Sequence, residues 1–474
     1  MSIYDIQPVH PTLADRAADG RAMLENWASV AKMGLRVGPL RMAGHLSRIR
    51  WLPYFLRTGV MLDMVTRSRT GAYREANAHA LSGIVAGLAQ SLGGLLSDPG
   101  KVVLHEDLVP PEILMGMGLT PWMIELLGIV APMIASDFAE PYIDAAEAAG
   151  TPPDVCSLPK ACMGLALTGQ FPRPAALVTS NMPCDGGMSS YTVLEQSLKA
   201  PCFRLDTPYD FHSERAVAYF TGELFRMIGW LEEHTPGRMD WDRMREVCEE
   251  RNRAAEAEVA LWDLMTKKPA PMAGEPVYLG HMMYMIACPA TPLGTRFFRD
   301  LLARAEKIAR AGQGVLPEER YRAVLWNPPT LIYPELFIRA EQKWGVALLM
   351  DMLTYNRHSL VDTKTPETML RGLSRIIMQG AMARHTRGPQ ANFFTDLFDV
   401  YERFDLDMIW MAGHIGCKNT MALSGMFREK CRERGIPLLI INYDLSDTRV
   451  VAPHQIRDQA DAFMETVMKA QRIG

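Results

Sequence analysis

A strand–helix–strand pattern near the C-terminal end of the sequence constrains the fold most. Residues 408–411 and 436–441 are short apolar runs, and each predicts a buried strand. Between them, residues 419–433 predict a helix that ends before Gly435, a glycine of the kind that commonly terminates helices. Two buried strands joined by a helix at this spacing predict a right-handed βαβ unit of a parallel sheet. Cys417 then falls at the carboxyl end of the first strand, where open α/β sheets bind ligands.

The same alternation of short apolar runs and helical stretches occurs in the rest of the chain. Further strands are predicted at residues 101–104, 174–179, 202–205, 322–326 and 346–350. The fold class predicted is α/β, with two tandem doubly wound parallel-sheet domains behind a helical N-terminal segment. The boundaries expected are 1–100 for the helical segment, 101–270 for the first α/β domain and 271–474 for the second.

Two stretches carry more specific expectations. The most apolar window, residues 113–135, contains Pro121, Glu125 and Pro132 and predicts a buried helical segment rather than a membrane span. Residues 77–96 are rich in Ala, Leu and Gly and predict an amphipathic helix. The N-terminal segment as a whole is expected to cap a domain, to contact a partner, or both.

Composition excludes several classes of protein. The chain has 474 residues and a net charge of −4, without a basic stripe interleaved with aromatic residues, so no nucleic-acid partner is expected. Eight cysteines without close pairs do not predict a disulfide scaffold in a chain of this length. Residues 1–20 carry acidic residues and lack an apolar core of the kind found in signal peptides. We therefore expect a reducing, cytoplasmic location and no membrane contact.

Familiar catalytic motifs are missing from the sequence. It has no GxxxxGK[ST] loop for ATP, no Gly-rich dinucleotide fingerprint after a strand, no GxSxG elbow, no HExxH and no CxxC. A nicotinamide dehydrogenase, a serine hydrolase or a zincin is therefore disfavoured.

Three cysteines remain as candidates for chemistry. Cys184 and Cys417 each follow a predicted strand and precede a helix, and Cys156 lies at a predicted helix start. A helix N-terminus stabilises a thiolate, the form that binds metal. In a two-domain doubly wound protein the three could converge on the cleft as ligands of an iron–sulfur or zinc site with one open position. The alternative is that each is a small buried apolar residue, as free cysteines commonly are.

Four segments of the sequence carry a family resemblance. DVCSLPKACMGLAL, LVTSNMPCDGGMSSYTVLEQ, CFRLDTPYD and GHIGCKNTMALSGMFREKCRERGIPLLIINYDLSDTR resemble the 2-hydroxyacyl-CoA dehydratase and benzoyl-CoA reductase superfamily. Residues 240–355 are most similar to the B-type subunit of ATP-dependent benzoyl-CoA reductase. The resemblance covers roughly residues 100–470, in the same order.

The resemblance implies a cofactor and partners. Members of this family bind a [4Fe-4S] cluster between two doubly wound domains through three cysteines, which correspond here to Cys156, Cys184 and Cys417. Double-cubane relatives hold a larger cluster, to which Cys162 or Cys288 would contribute. Electrons arrive singly, at low potential, from a separate ATP-hydrolysing iron–sulfur activator protein. The active complex is expected to pair this chain with a related second subunit or with itself as a dimer.

The resemblance also implies the reaction. The substrate is an acyl-CoA thioester in anaerobic metabolism, and the middle region favours a benzoyl-CoA-reductase-like reduction of it. The alternatives are 2-hydroxyacyl-CoA dehydration through a ketyl radical, a double-cubane reductase, and a non-catalytic partner or electron-relay subunit. A zinc-binding or metal-free scaffold is the alternative outside this chemistry.

Such chemistry needs acids and bases near the metal. Glu112 and His414 are the first candidates, since one follows the first predicted strand and the other lies close to Cys417. His105 and Glu106, at the end of the first strand, and Asp185, beside Cys184, are the next. Each could instead be structural, because Glu112 would favour a helix N-terminus and His414 could be a hydrogen-bonded core residue.

Overall fold

A computed structural model describes residue 6 and residues 9–209, 212–285, 290–327, 333–355, 359–386 and 390–473, with the main chain alone at 282–285. The first sheet comprises β1 (Val102–His105), β2 (Thr120–Met123), β3 (Ala176–Ser180) and β4 (Cys202–Leu205). The second comprises β5 (Tyr321–Trp326), β6 (Val346–Asp351), β7 (Met408–His414) and β8 (Leu438–Tyr443). The strand orders are β2-β1-β3-β4 and β6-β5-β7-β8, and all of these pairings are parallel.

Helices fill the rest of the described chain. The N-terminal segment contains α1 (Leu13–Val37), α2 (Pro39–Arg48), α3 (Leu52–Phe55), α4 (Thr58–Thr66) and α5 (Gly71–Ser97). The helices between the strands of the first sheet are α6 (Pro111–Gly116), α7 (Glu125–Ile134), α8 (Glu140–Ala148), α9 (Ser157–Leu167) and α10 (Asp185–Leu198). After β4 come α11 (Glu214–His234) and α12 (Trp241–Met265). The connection between the sheets contains α13 (Gly274–Met285) and α14 (Pro292–Arg310). The second sheet is joined by α15 (Glu335–Trp344), α16 (Pro366–Gln379), α17 (Ala381–Thr386), α18 (Ala391–Arg403), α19 (Lys418–Ala422), α20 (Ser424–Glu433) and α21 (Pro453–Thr466).

The predicted fold class is confirmed, with two parallel four-stranded sheets behind a helical segment. The boundaries at residues 100 and 270 remain predictions. Gly435 has a φ of 65° directly after α20, as its predicted role at the end of that helix requires. The predicted helix at 419–433 is divided into α19 and α20.

The expectation of one buried helical segment at residues 113–135 is wrong. The stretch contains the end of α6, then β2, then α7. Most residues here are apolar and can be buried in either a strand or a helix, so periodicity could not separate the two. Pro121 did not exclude a strand because β2 is at the edge of its sheet, where a missing N–H is tolerated.

The helix α5 is buried on nearly all sides, so the expected amphipathic helix at residues 77–96 is also wrong. It is long and apolar enough to cross a membrane, but 83% of its most apolar window is buried inside the protein. Such burial is typical of the central helix of a large core. α5 packs against α1, α4, α13 and α14, and so joins the N-terminal segment to the connection between the sheets.

A buried ion-pair network fixes this helical segment to the second half of the chain. Arg69 lies between α4 and α5 and donates to Glu275 of α13 at 2.7 Å and to Glu341 of α15 at 3.3 Å. The Tyr73 hydroxyl donates to Glu341 at 2.8 Å. Because its two acids share one cation in a dry interior, the network depends on Arg69 for charge balance.

Candidate active site

Each sheet has a point between its two central strands at which the chain connections change direction, and we call this point the strand-order reversal. Two of the three candidate cysteines follow strands that flank it. In the first sheet the chain leaves β1 toward one edge and β3 toward the other, and in the second sheet β5 and β7 do the same. Cys184 follows β3 and Cys417 follows β7, each as the N-cap residue of the next helix. In doubly wound sheets the crevice at this reversal, outside the carboxyl ends of the strands, is the usual ligand site.

Cys156 comes from elsewhere in the first half and meets Cys417 in space. It is the N-cap residue of α9. A Cβ added to Gly416 would lie 2.9 Å from Cys156 Cα. Only a glycine therefore lets the Cys417 loop approach this closely, and the three cysteines, predicted from three separate segments, lie around one region.

His414, at the end of β7, joins this region through a short contact. Its Nε2 lies 3.0 Å from Cys156 Sγ, and its Nδ1 accepts a hydrogen bond from the Leu445 N–H at 3.2 Å. Burial lowers the pKa of His414, so the ring is neutral at physiological pH. With Nδ1 acting as an acceptor, the ring proton is on Nε2 and is donated to Cys156 Sγ.

A buried acid orders the loops around this contact. Asp444 accepts hydrogen bonds from the Ser157 hydroxyl and from the backbone N–H groups of Ser446 and Asp447. Its second oxygen lies 3.6 Å from His414 Nδ1. The start of α9 is thereby tied to the loop after β8, across the two halves of the chain.

The electrostatics of the cysteines show that they influence one another. Burial raises the pKa of the Cys156 thiol well above its usual range, and Asp444, Cys417 and Cys184 add to the effect. Desolvation raises the pKa of Cys184, and a charge on Cys417 would raise it further. Three neighbouring thiolates are therefore unfavourable unless a positive group offsets their charge, and a metal centre supplies such a group.

The three cysteines influence one another without forming a single-ion site. Among the described residues, no three His, Cys, Asp or Glu side chains are grouped as ligands of one ion. The described cysteines are all free thiols, Cys162 is buried within α9, and Cys288 lies outside the described residues.

A second group of buried acids lies at the end of β1, beside the Cys184 loop. Glu106 Oε2 accepts hydrogen bonds from the Ser180 N–H at 3.0 Å and from the Ser180 hydroxyl at 2.9 Å. Burial, with Glu125 and Asp107 nearby, raises the pKa of Glu106 well above its usual range. Burial also raises the pKa of Glu125 to about 8 and that of Asp107 to about 6. With a pKa of about 8, Glu125 keeps its proton near neutral pH and can donate it, whereas Asp107 is mostly ionised there.

The other four predicted acid–base residues have different surroundings. His414 adjoins Cys156, and Asp185 is the exposed first residue of α10. His105 is buried, its Nδ1 contacts the Glu106 carbonyl at 3.0 Å, and burial lowers its pKa to about 4. Glu112 is buried in α6 and accepts a 2.7 Å hydrogen bond from Arg251 Nε. The structure thus gives Glu112 an ion-pair partner in α12, and a catalytic role for each of the four stays a prediction.

Sequence reasoning gave too little weight to some residues. Glu125 entered only as an argument against a membrane span, and Asp444 was not among the candidates for chemistry. Their buried environments come from packing between distant segments, so the sequence offered no direct signal for them. An apolar run interrupted by one acid, as at Glu125, is the nearest thing to such a signal.

A large cavity lies away from this region. It has a volume of about 760 Å³ and is lined in part by Lys268, Arg320, Arg322 and Asp407. These residues flank the amino ends of β5 and β7, whereas Cys417 follows the carboxyl end of β7. The cavity is therefore on the opposite edge of the second sheet.

Two parallel four-stranded sheets, with cysteines and buried acids near the strand-order reversals, place the chain in the class of doubly wound α/β proteins. The chain belongs to the family described as 2-hydroxyglutaryl-CoA dehydratase, D-component, whose model matches residues 108–467.

Individual relatives agree with this assignment. The alpha subunit of lactoyl-CoA dehydratase from Anaerotignum propionicum is 22% identical over 385 residues, or 76% of this chain and 88% of the relative. The alpha subunit of (R)-2-hydroxyglutaryl-CoA dehydratase from Acidaminococcus fermentans is 25% identical over 163 residues, or 34% of each chain. The predicted superfamily is confirmed. Since both relatives are dehydratase subunits, these comparisons favour the dehydratase alternative over the reductase-like prediction, and a closer kinship to benzoyl-CoA reductase stays a prediction.

Proposed function

We propose that this chain is an iron–sulfur subunit of a 2-hydroxyacyl-CoA dehydratase, with Cys156, Cys184 and Cys417 as the ligands of a [4Fe-4S] cluster. The observation that carries the proposal is that these three cysteines, from distant segments, lie in one region, with two of them at the strand-order reversals. Family membership and the two dehydratase relatives support the reaction class. Because the relatives are alpha subunits, we include a related partner subunit, and an ATP-hydrolysing iron–sulfur activator as the electron source.

The residues present suit such a group. Three thiols leave one cluster position open, and the His414 Nε2–H is directed at a ligand sulfur. When bound, the cluster would supply low-potential single electrons to the thioester and a Lewis-acidic iron. His414 and Glu106 beside these thiols are buried, and charge interactions are stronger away from water.

Proton handling falls to the acids at the end of β1. Glu106 holds its proton because it is buried beside Glu125 and Asp107. Its Oε1 is buried and has no hydrogen-bond partner among the described residues, so a substrate or a water molecule could supply one. We therefore assign Glu106, together with His414, to donate or accept a proton during loss of the 2-hydroxyl group.

The first test is the iron and acid-labile sulfide content of the anaerobically purified chain. About four irons per chain are expected, and Cys156→Ser, Cys184→Ser and Cys417→Ser should each reduce this content. Cys202→Ser, a change in β4, is the matched control and should keep it. About eight irons would point instead to the double-cubane alternative, and no iron after anaerobic reconstitution would overturn the proposal.

The second test separates the two reactions. With its activator and a reductant, the loaded complex should eliminate water from a 2-hydroxyacyl-CoA and leave benzoyl-CoA unreduced. Reduction of benzoyl-CoA without dehydration would support the reductase-like alternative. Turnover only after addition of a separate cluster-bearing chain would support the partner-subunit alternative.

A further inference from the structure

The outer face of α1 carries large apolar side chains in contact with solvent. Leu13, Leu24, Trp27 and Leu35 are 86%, 69%, 63% and 82% exposed. At about 100° per residue, all four lie on one side of the helix, opposite the face that packs on α5. An exposed apolar stripe of this length on a protein surface is typical of an interaction site.

The stripe has an unusual internal symmetry. Along its centre line, successive apolar or small residues are 4, 3 and 4 positions apart on each side of Leu24. Counted outward from Leu24, their sizes are large, small, small, large in both directions. All are exposed: Leu13, Ala17, Gly20, Leu24, Ala28, Ala31 and Leu35. A sequence that has the same pattern in both directions is complementary to itself when two copies run antiparallel.

We propose that a second copy of this chain packs on α1 as an antiparallel helix pair, with a twofold axis at Leu24. In this register Leu13 faces Leu35 of the second copy, and Ala17 faces its Ala31. Gly20 faces Ala28, so small residues meet between the leucine layers and let the helices approach closely. Such an interface is isologous, since each contact occurs twice.

The charges beside the stripe support the antiparallel direction. Arg21 and Glu25 are exposed and lie along one edge of it, with Lys32 further along the same edge. The twofold axis brings this edge against the same edge of the second copy, with direction reversed. Arg21 then lies within about one turn of the opposite Glu25. The two copies of Glu25 also lie close to each other across the axis, and each is offset by an Arg21 of the other copy. Lys32 meets the neutral Ala14. A parallel pair would instead place the Arg21 edge of one copy against the opposite edge of the other copy. The exposed charged residue on that opposite edge is Arg16, so Arg21 would have no acid beside it.

The other edge accommodates the largest side chain. Trp27 lies on that edge and, in the antiparallel register, adjoins Gly20 of the second copy, where no side chain obstructs the indole. α1 precedes residues 108–467, the part that matches the dehydratase family. The proposed interface therefore belongs to the additional N-terminal segment and is independent of the proposed chemistry.

The test is sedimentation velocity of the full chain over a concentration series. We expect a reversible dimer, and Leu24→Glu should raise its dissociation constant at least about tenfold, because two carboxylates would meet on the axis. Leu40→Glu is the matched control, since Leu40 is 89% exposed on α2 but lies outside the stripe. A monomer at all concentrations, or a dimer that Leu24→Glu leaves unchanged, overturns the proposal.

Cysteine trapping tests the register. Leu13→Cys chains and Leu35→Cys chains, mixed and mildly oxidised, should form a reducible dimer that neither variant forms alone and that wild type does not form. Crosslinking of Leu13→Cys chains with each other would indicate a parallel pair and overturn the antiparallel arrangement.

Discussion

Cys156 Sγ lies 3.0 Å from His414 Nε2, although 258 residues separate them in the chain. One residue begins a helix of the first half, and the other ends a strand of the second. Their contact shows that the two halves meet at the candidate ligand crevice. Because the His414 ring is neutral and donates through Nε2, it stabilises negative charge on this sulfur.

Removal of this donor should alter the electronic properties of the site. His414→Phe keeps an aromatic ring but removes the N–H, so we expect turnover to fall about 10- to 100-fold with iron content largely kept. The reduction potential of the proposed cluster should become more negative. A redox titration followed by electron paramagnetic resonance measures it. His454→Phe, at an exposed position of α21, is the control. An unchanged potential in His414→Phe would argue against the hydrogen bond.

Gly416 should tolerate no side chain. In Gly416→Ala the new Cβ would meet Cys156 Cα at 2.9 Å, and backbone must move to relieve the contact. We expect a loss of about 1–3 kcal/mol in the free energy of unfolding, together with reduced iron content. Gly229→Ala, in the open interior of α11, should instead gain about 0.5–1 kcal/mol. Urea denaturation monitored by circular dichroism measures both.

The buried network at Arg69 should be a large contributor to stability. Arg69→Met leaves Glu275 and Glu341 buried without their cation, and we expect a loss of about 3–5 kcal/mol. The exposed ion pair between Arg310 and Glu306 is the comparison: Arg310→Met should cost less than about 1 kcal/mol. Similar losses in the two variants would contradict the proposed role of burial.

Glu125 should make stability fall as the pH rises. Its pKa is raised by burial from 4.5 to about 8, so between these values the folded chain holds a proton that the unfolded chain has lost. The contribution of Glu125 to the free energy of unfolding is fully present below pH 4.5 and is lost as the pH rises towards 8. Glu125→Gln removes the dependence and should be the more stable form at pH 8, by at most several kcal/mol. The difference should vanish near pH 4.5.

Thermal unfolding at a series of pH values checks this prediction. Glu429→Gln, at an exposed position of α20, is the control and should leave the pH dependence of wild type unchanged. Parallel curves for wild type and Glu125→Gln would show that Glu125 does not hold its proton in the folded state.

The sequence by itself determined the fold class. Apolar runs bounded by glycine, proline and acidic residues located seven of the eight strands, because a strand buried on both faces must be apolar throughout. The same rule failed at β2, where α6, β2 and α7 form one apolar stretch and only pairing with β1 decides which residues are extended.

Only the tertiary structure decided which residues share an environment. Spacing put Cys184 and Cys417 after strands, but the contact of Cys156 with His414 depends on Gly416 and on how two halves of the chain dock. Glu112, a good candidate by position, acquired Arg251 as its partner, while Glu106 and Glu125 acquired raised pKa values from burial. Desolvation and pairing are properties of packed surroundings, and residues from distant segments create them. Local sequence patterns therefore fix the elements, and packing fixes their chemistry.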